Sequence, residues 1–93
     1  MQTVHIDNDR LATILRALSH PVRIEIIRTL GDSGDAQCVD LTRHVALAQS
    51  TVSEHLRVLK EAGLIEQCGS NPRAGYCLKP DVLVWLKQMV VAL

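Results

Sequence analysis

Hydrophobic residues recur at helical spacing along most of the chain, and this pattern predicts five helices. The first helix is predicted over about residues 9–19, with Asp7, Asn8 or Asp9 as its cap. Its apolar stripe consists of Leu11, Ile14, Leu15 and Leu18. The second is predicted over about residues 21–30, because Pro21 suits a first helical position, where its missing N–H has no partner.

The middle of the chain combines a short helix, a tight turn and a longer amphipathic helix. A third helix is predicted over about residues 38–44, a turn at 46–47, and a fourth helix over about 48–62. The inward face of the fourth helix consists of residues at 3-, 4- and 7-residue spacing, namely Val52, Leu56, Leu59 and Gly63. Its outward face is polar and consists of Ser50, Glu54, Arg57 and Glu61. Residues 31–35 are predicted to form a loop.

A β-hairpin is predicted to follow the fourth helix. Gly63 can end that helix in a left-handed conformation. Residues 64–68 then predict a strand, residues 69–75 a turn-rich tip that carries Arg73, and residues 76–78 a returning strand. The last helix is predicted to begin at residues 80–81 and to run to the C-terminus.

Together these elements predict a mainly α fold with a small β-hairpin wing. This is a winged helix-turn-helix in a single domain, residues 1–93. The last helix is apolar on most sides, which favours a homodimer formed through the first and last helices. The predicted interface residues are Leu11, Ile14, Leu15, Leu83, Leu86, Met89 and Val90. In the alternative interpretation, the last helix only covers the core of its own chain.

Composition indicates a globular chain of 93 residues, of which 47% are hydrophobic and 22% charged. There is no apolar run of about 18 residues, so no membrane span is expected. The first residues do not resemble a secretion signal, and a cytoplasmic location is expected. The three cysteines suit reduced thiols better than a disulfide framework.

The charge balance argues mildly against nucleic-acid binding. Ten basic and ten acidic residues give a net charge of zero, whereas nucleic-acid-binding domains are usually basic. The second half of the chain, residues 48–93, nevertheless carries five bases against four acids. Because this excess is small and the net charge is zero, strong non-specific affinity for DNA is not expected.

The start of the fourth helix suits entry into the major groove of double-stranded DNA. Gln49, Ser50, Thr51 and Ser53 can hydrogen-bond bases and phosphates there. Further along, the exposed Arg57 can pair with phosphate or guanine. For each residue, the alternative is a solvated side chain.

Two charged residues complete the predicted DNA-binding set. Arg73 at the hairpin tip can reach a minor groove or a phosphate. Glu54 either accepts from a cytosine amino group or pairs with Arg57 and holds it in place.

Two segments resemble the ArsR/SmtB family of small bacterial winged-helix repressors. They are residues 17–23, ALSHPVR, and residues 49–65, QSTVSEHLRVLKEAGLI. The resemblance covers nearly the whole chain and implies a homodimer that binds an inverted-repeat operator and is released by an inducer. Ala48 departs from the family pattern, in which a serine often caps the recognition helix.

The metal sites of this family are not expected in this chain. Many members bind metal through Cys-Val-Cys-Asp-Leu on the third helix, but Gln37 and Val39 stand at the two ligand positions here, with Cys38 between them. The last helix carries Asp81 and then no histidine, cysteine or glutamate. We therefore expect neither metal nor cofactor, and we interpret His55 as a packed residue.

Cys68 and Cys77 lie opposite each other if the hairpin turns at Pro72 and Arg73. Opposed residues in an antiparallel pair are about 4.5–5.5 Å apart at Cα, a separation that a disulfide can bridge. Our hypothesis is that oxidation links this pair and weakens DNA binding. The alternative is two small apolar residues, and a one-residue slip would place them on opposite faces.

Other functional classes are alternatives to the repressor interpretation. An enzyme is not expected, because the sequence has no nucleophile near a base, no phosphate-binding loop and no metal cluster. A winged helix that only binds another protein is the main alternative, and a steep salt dependence of binding would favour DNA over it. A repressor without a ligand of its own is a third hypothesis.

Overall fold

The computed structural model describes the backbone of residues 2–36, 38–68 and 75–93, and side chains within 7–32, 40–68 and 75–93. These residues form five helices and three short strands. The helices are α1 (Gln2–Leu18), α2 (Pro21–Ser33), α3 (Cys38–Val45), α4 (Gln49–Glu61) and α5 (Pro80–Val91). The strands are β1 (Asp35–Ala36), β2 (Ile65–Gln67) and β3 (Tyr76–Leu78).

Two helix boundaries differ from the sequence prediction. Helix α1 begins at Gln2, so the residues that were expected to cap it, Asp7 to Asp9, lie inside the helix instead. Helix α2 continues to Ser33, and the N–H of Gly34 closes it by donating to the Leu30 carbonyl at 2.9 Å. Gly34 has φ +83°, a conformation that glycine adopts readily, so the helix ends here, about three residues beyond its predicted end.

The wing belongs to a three-stranded antiparallel sheet with strand order β1-β3-β2. The hairpin of β2 and β3 confirms the prediction, whereas β1 lies where a loop was expected. In the hairpin, Cys77 opposes Glu66, and the N–H of Cys68 donates to the Gly75 carbonyl at 3.0 Å. The predicted register was therefore wrong by two residues, a shift that leaves every side chain on its expected face.

The core is aliphatic, and every helix whose side chains are described contributes to it. Helix α4 supplies Val52, Leu56 and Leu59, as its periodicity predicted, and the chain after it supplies Leu64 and Ile65. The other buried residues are Leu11, Ile14, Ala17, Ile26, Leu30, Leu41, Val82 and Leu86. Burying each leucine or isoleucine contributes about 1.5–3 kcal/mol, so hydrophobic burial holds α4 firmly in place.

Burial within a single chain divides the residues of the predicted dimer interface into two groups. Leu11, Ile14 and Leu86 are at most 7% exposed within a single chain, so they belong to its own core and offer little surface to a partner. Leu83 and Met89 are half-buried, while Leu15 and Val90 are 41% and 43% exposed. Val84, Val91 and Leu93 are also exposed. Among the described helices, none is both long and apolar enough to cross a membrane.

Candidate nucleic-acid interface

Helices α3 and α4 form a helix-turn-helix whose turn depends on one left-handed residue. Ala46 has φ +57°, and its N–H donates to the Thr42 carbonyl at 2.9 Å. At the other end of α4, Gly63 has φ +83° and its N–H donates to the Lys60 carbonyl, which ends the helix as predicted. These two residues fix where α4 begins and where the wing leaves it.

The first turn of α4 presents small polar side chains and has no side-chain cap. Ala48 occupies the N-cap position and makes no capping hydrogen bond with its side chain, as the alanine there implied. The exposed side chains of this turn are those of Gln49, Ser50, Thr51 and Ser53. Hydroxyl and amide groups beside the N–H end of a helix can hydrogen-bond phosphates and base edges.

Further along α4, Arg57 is held between two carboxylates. Its Nε donates to Glu54 at 3.1–3.2 Å, its Nη2 also donates to Glu54, and its Nη1 donates to Glu61 Oε1 at 2.8 Å. All three side chains are exposed. The bond from Arg57 lowers the pKa of Glu54, and the bonds to both carboxylates raise the pKa of Arg57.

These contacts change the role expected of Arg57. The predicted pairing of Glu54 with Arg57 is present, and Glu61 is a second partner that the sequence interpretation did not include. The guanidinium charge is neutralised in the free protein, so a phosphate would have to compete with two carboxylates for it.

A histidine–arginine cluster links α4 to the rest of the domain, and the sequence interpretation missed it. Arg23 Nε donates to His55 Nδ1 at 3.2 Å, and Arg23 Nη1 donates to the Ala17 carbonyl at 3.2 Å. The His20 and His55 rings lie 4.5 Å apart, and His20 Nδ1 accepts from the Val22 N–H. Burial lowers the pKa of His55, and the neighbouring His20 and Arg23 lower it further.

The wing, formed by β2 and β3, follows α4 in the chain and carries a disulfide crosslink. A disulfide joins Cys68, the residue after β2, to Cys77 in β3, with a Cα–Cα distance of 5.9 Å. Arg73, which was predicted to contact DNA from the tip, lies outside the described residues, and so does Gln37. Among the described residues, no three His, Cys, Asp or Glu side chains are grouped so that they could hold a metal ion.

Residues 20–67 match the family model described as "Bacterial regulatory protein, arsR family". The chain belongs to this family. It therefore has the winged helix-turn-helix fold of this family, whose members are transcriptional regulators rather than enzymes. This confirms both the family and the fold that the sequence predicted.

Relatives and a solved structure agree with this assignment. The chain is 32% identical to the HTH-type transcriptional regulator YgaV of Escherichia coli over 75 residues, 81% of this chain and 76% of the relative. It is 36% identical to the biofilm growth-associated repressor of Xylella fastidiosa over 58 residues, 62% of this chain and 50% of the relative.

The solved structure is a homodimeric winged helix-turn-helix DNA-binding domain from Mycobacterium bovis, a possible ArsR-family transcriptional regulator. It superimposes with a TM-score of 0.74 at 25% identity, covering 90% of this chain and 78% of that one.

Proposed function

We propose that this arsR-family chain is a homodimeric repressor that binds an inverted-repeat operator in double-stranded DNA. The observation that carries the proposal is the exposed, polar first turn of α4, on a helix that three core residues hold in place. A dimer presents two such turns. An inverted repeat with half-sites about 34 Å apart would receive both in successive major grooves.

Within this proposal, the side chains of the first turn of α4 read the operator. Gln49, Ser50, Thr51 and Ser53 contact bases and phosphates, and Arg73 contacts the backbone or minor groove beside them. Arg57 contributes a phosphate contact only after it leaves Glu54 or Glu61. We place Glu54 as the residue that holds Arg57, because the two are hydrogen-bonded.

The proposed dimer forms through an apolar surface shared by α1 and α5. We call it the α1–α5 surface, and its exposed members are Leu15, Val84, Val90, Val91 and Leu93. The half-buried Leu83 and Met89 border it. An exposed apolar surface of this kind favours a second copy of the chain. The similar domain from Mycobacterium bovis is homodimeric.

We place the protein in the bacterial cytoplasm, where the DNA lies, and we assign it no catalytic role. Release from the operator follows the binding of an inducer or the oxidation of thiols.

A fluorescence-anisotropy titration tests the proposal. The reduced chain is titrated at about 150 mM salt, near physiological ionic strength, into labelled DNA from upstream of its own gene and into a shuffled duplex. We expect tight binding to the first duplex alone, with two protomers per site. Equal, weak binding to both duplexes and to other promoter DNA from the same genome would contradict the repressor function.

One observation favours a second candidate, a winged helix that binds another protein. The net charge is zero, and the arginine on the recognition helix is neutralised by its neighbours. Salt separates the two functions, because each phosphate contact adds about −0.9 to the slope of log K against log salt. We expect a steep slope for the repressor and a shallow one for a protein-binding module.

A further inference from the structure

The disulfide of the wing joins two strands diagonally rather than directly across. Cys68 opposes Gly75, and Cys77 opposes Glu66, so the two cysteines are offset by two residues on the same face. Diagonal neighbours in an antiparallel pair ordinarily lie about 7–8 Å apart at Cα, too far for a disulfide, which requires about 4.4–6.8 Å. The observed separation is 5.9 Å. The two cysteines therefore lie about 1–2 Å closer than diagonal neighbours ordinarily do, while Cys68 and Gly75 keep an ordinary ladder hydrogen bond of 3.0 Å.

The crosslink lies at the base of the wing, which belongs to the proposed DNA-binding surface. In the sequence, Cys68 directly precedes residues 69–74, which include Arg73. Cys77 lies in β3, the middle strand, which pairs with both β1 and β2. We expect loss of the crosslink to change the twist between β2 and β3 at the base of the wing. Both cysteines are only half-buried, so a small oxidant can reach them.

We propose that Cys68 and Cys77 form a thiol–disulfide switch in which the dithiol wing binds the operator and the disulfide wing releases it. The direction rests on the proposed function. A repressor occupies its operator in the resting cell, and the bacterial cytoplasm keeps thiols reduced in that state. Oxidation is then the signal, and the disulfide form is the released form.

A hydroperoxide supplies the oxidising equivalents. One cysteine thiolate attacks a peroxide oxygen, the O–O bond breaks, and the leaving oxygen takes a proton as water or an alcohol. The second thiol then attacks the sulfenic acid. The S–S bond forms, the S–O bond breaks, and water leaves with the proton of that thiol. Two thiols lose two electrons and the peroxide gains them. A small dithiol then reduces the disulfide back to two thiols by exchange and is itself oxidised to a disulfide.

The test compares operator binding by the full-length chain in two redox states. One sample is kept in excess dithiol, and the other is treated with hydrogen peroxide until mass spectrometry shows the Cys68–Cys77 peptide pair two hydrogens lighter. We expect the oxidised chain to bind its upstream DNA roughly fivefold more weakly, the effect of losing about one wing contact to a phosphate. Excess dithiol restores the affinity.

Two serine variants serve as a matched pair. Cys77→Ser should bind like the reduced chain whether or not peroxide is present. Cys38→Ser replaces the third cysteine and should keep the full response. A response that survives Cys77→Ser, or one that Cys38→Ser abolishes, would assign the switch to other thiols and overturn the proposal.

Amide hydrogen exchange separates failure of the switch from failure of the proposed function. If neither redox state binds operator DNA, the repressor function fails. The redox response of the wing is then measured as the protection of the Cys68 amide against hydrogen exchange. This amide donates to the Gly75 carbonyl. We expect this protection to change on reduction. Equal protection in both states, or equal or tighter DNA binding by the oxidised chain, overturns the switch.

Discussion

The recognition helix and the wing both belong to the proposed DNA-binding surface, but different forces hold them. Helix α4 places Val52, Leu56 and Leu59 in the core, each at most 1% exposed. The wing consists of three-residue strands crosslinked by a disulfide. Hydrophobic burial does not respond to redox conditions, whereas a disulfide does. In the proposed repressor, the helix therefore supplies a constant recognition surface and the wing an adjustable one.

The largest effect is expected when the hydrophobic support of α4 is removed. Leu56→Ala should lower the free energy of unfolding by about 2–5 kcal/mol, because it removes buried methyl groups and leaves a cavity. Urea unfolding followed by circular dichroism measures the change. Ile24→Ala, at an exposed position on α2, is the control and should lose less than about 1.5 kcal/mol. Equal losses in the two variants would contradict the view that core burial holds α4.

The junction between the two regions should show the next largest effect. Gly63→Ala should destabilise the fold by about 1–2 kcal/mol, since alanine is strained in the left-handed region. A Cβ at Gly63 meets nothing within 4 Å, so the loss is conformational rather than steric. Ala46→Gly is the opposite change at another left-handed position and should be neutral or slightly stabilising. Thermal unfolding of both variants checks this, and loss of stability in both would contradict it.

A smaller effect is expected from freeing Arg57. Glu54→Gln removes one carboxylate that competes with phosphate, so operator affinity should rise roughly threefold and the salt slope should steepen by up to about 1. Anisotropy titrations at several salt concentrations measure both quantities. Asp32→Asn, on α2, changes the net charge equally and should leave the affinity nearly unchanged. If both variants bind equally tightly, net charge rather than Arg57 controls affinity.

The histidine cluster predicts a modest dependence of stability on pH. Burial lowers the pKa of His55 in the folded state, so the unfolded chain binds more protons as pH falls below about 6.5. The contribution of His55 to stability is therefore complete above that pH and declines as the pH falls toward the folded-state pKa. The groups around it are His20, Arg23 and Glu54.

Urea unfolding at pH 7.5 and pH 5.5 measures this dependence. His55→Asn keeps an acceptor near Nδ1 but cannot titrate, so it should reduce the difference between the two conditions. His44→Asn, which changes an exposed histidine on α3, should retain it. The same pH dependence in His55→Asn as in the unchanged chain would show that other groups cause it.

Sequence periodicity predicted the parts of the fold that local patterning determines. The inward face of α4 and the bounds of β3 followed from spacing alone. The start of α1 was misplaced because Asp7 and Asp9 resemble caps, yet such residues also fit an exposed helical surface. Strand β1 has only two residues and exists through its pairing with β3, which no local pattern reveals.

The candidate site was predicted less completely, because its key contacts are long-range. Periodicity identified Leu11, Ile14 and Leu86 as buried but could not tell whether their own chain or a partner buries them. The contact between Arg23 and His55 joins residues 32 positions apart. The link between Cys68 and Cys77 was anticipated through a register that proved wrong by two residues, and it persisted because that shift preserves the face.

Arg23 connects helix α1 to helix α4, and this connection matters for a dimer. Its guanidinium donates to the Ala17 carbonyl near the end of α1 and to the imidazole of His55 on α4. It therefore connects the helix that bears part of the α1–α5 surface to the recognition helix. In the proposed homodimer, we expect these contacts to carry a rotation of one protomer against the other to both recognition helices. We also expect the geometry of the α1–α5 surface to determine the spacing of the two half-sites in this homodimer.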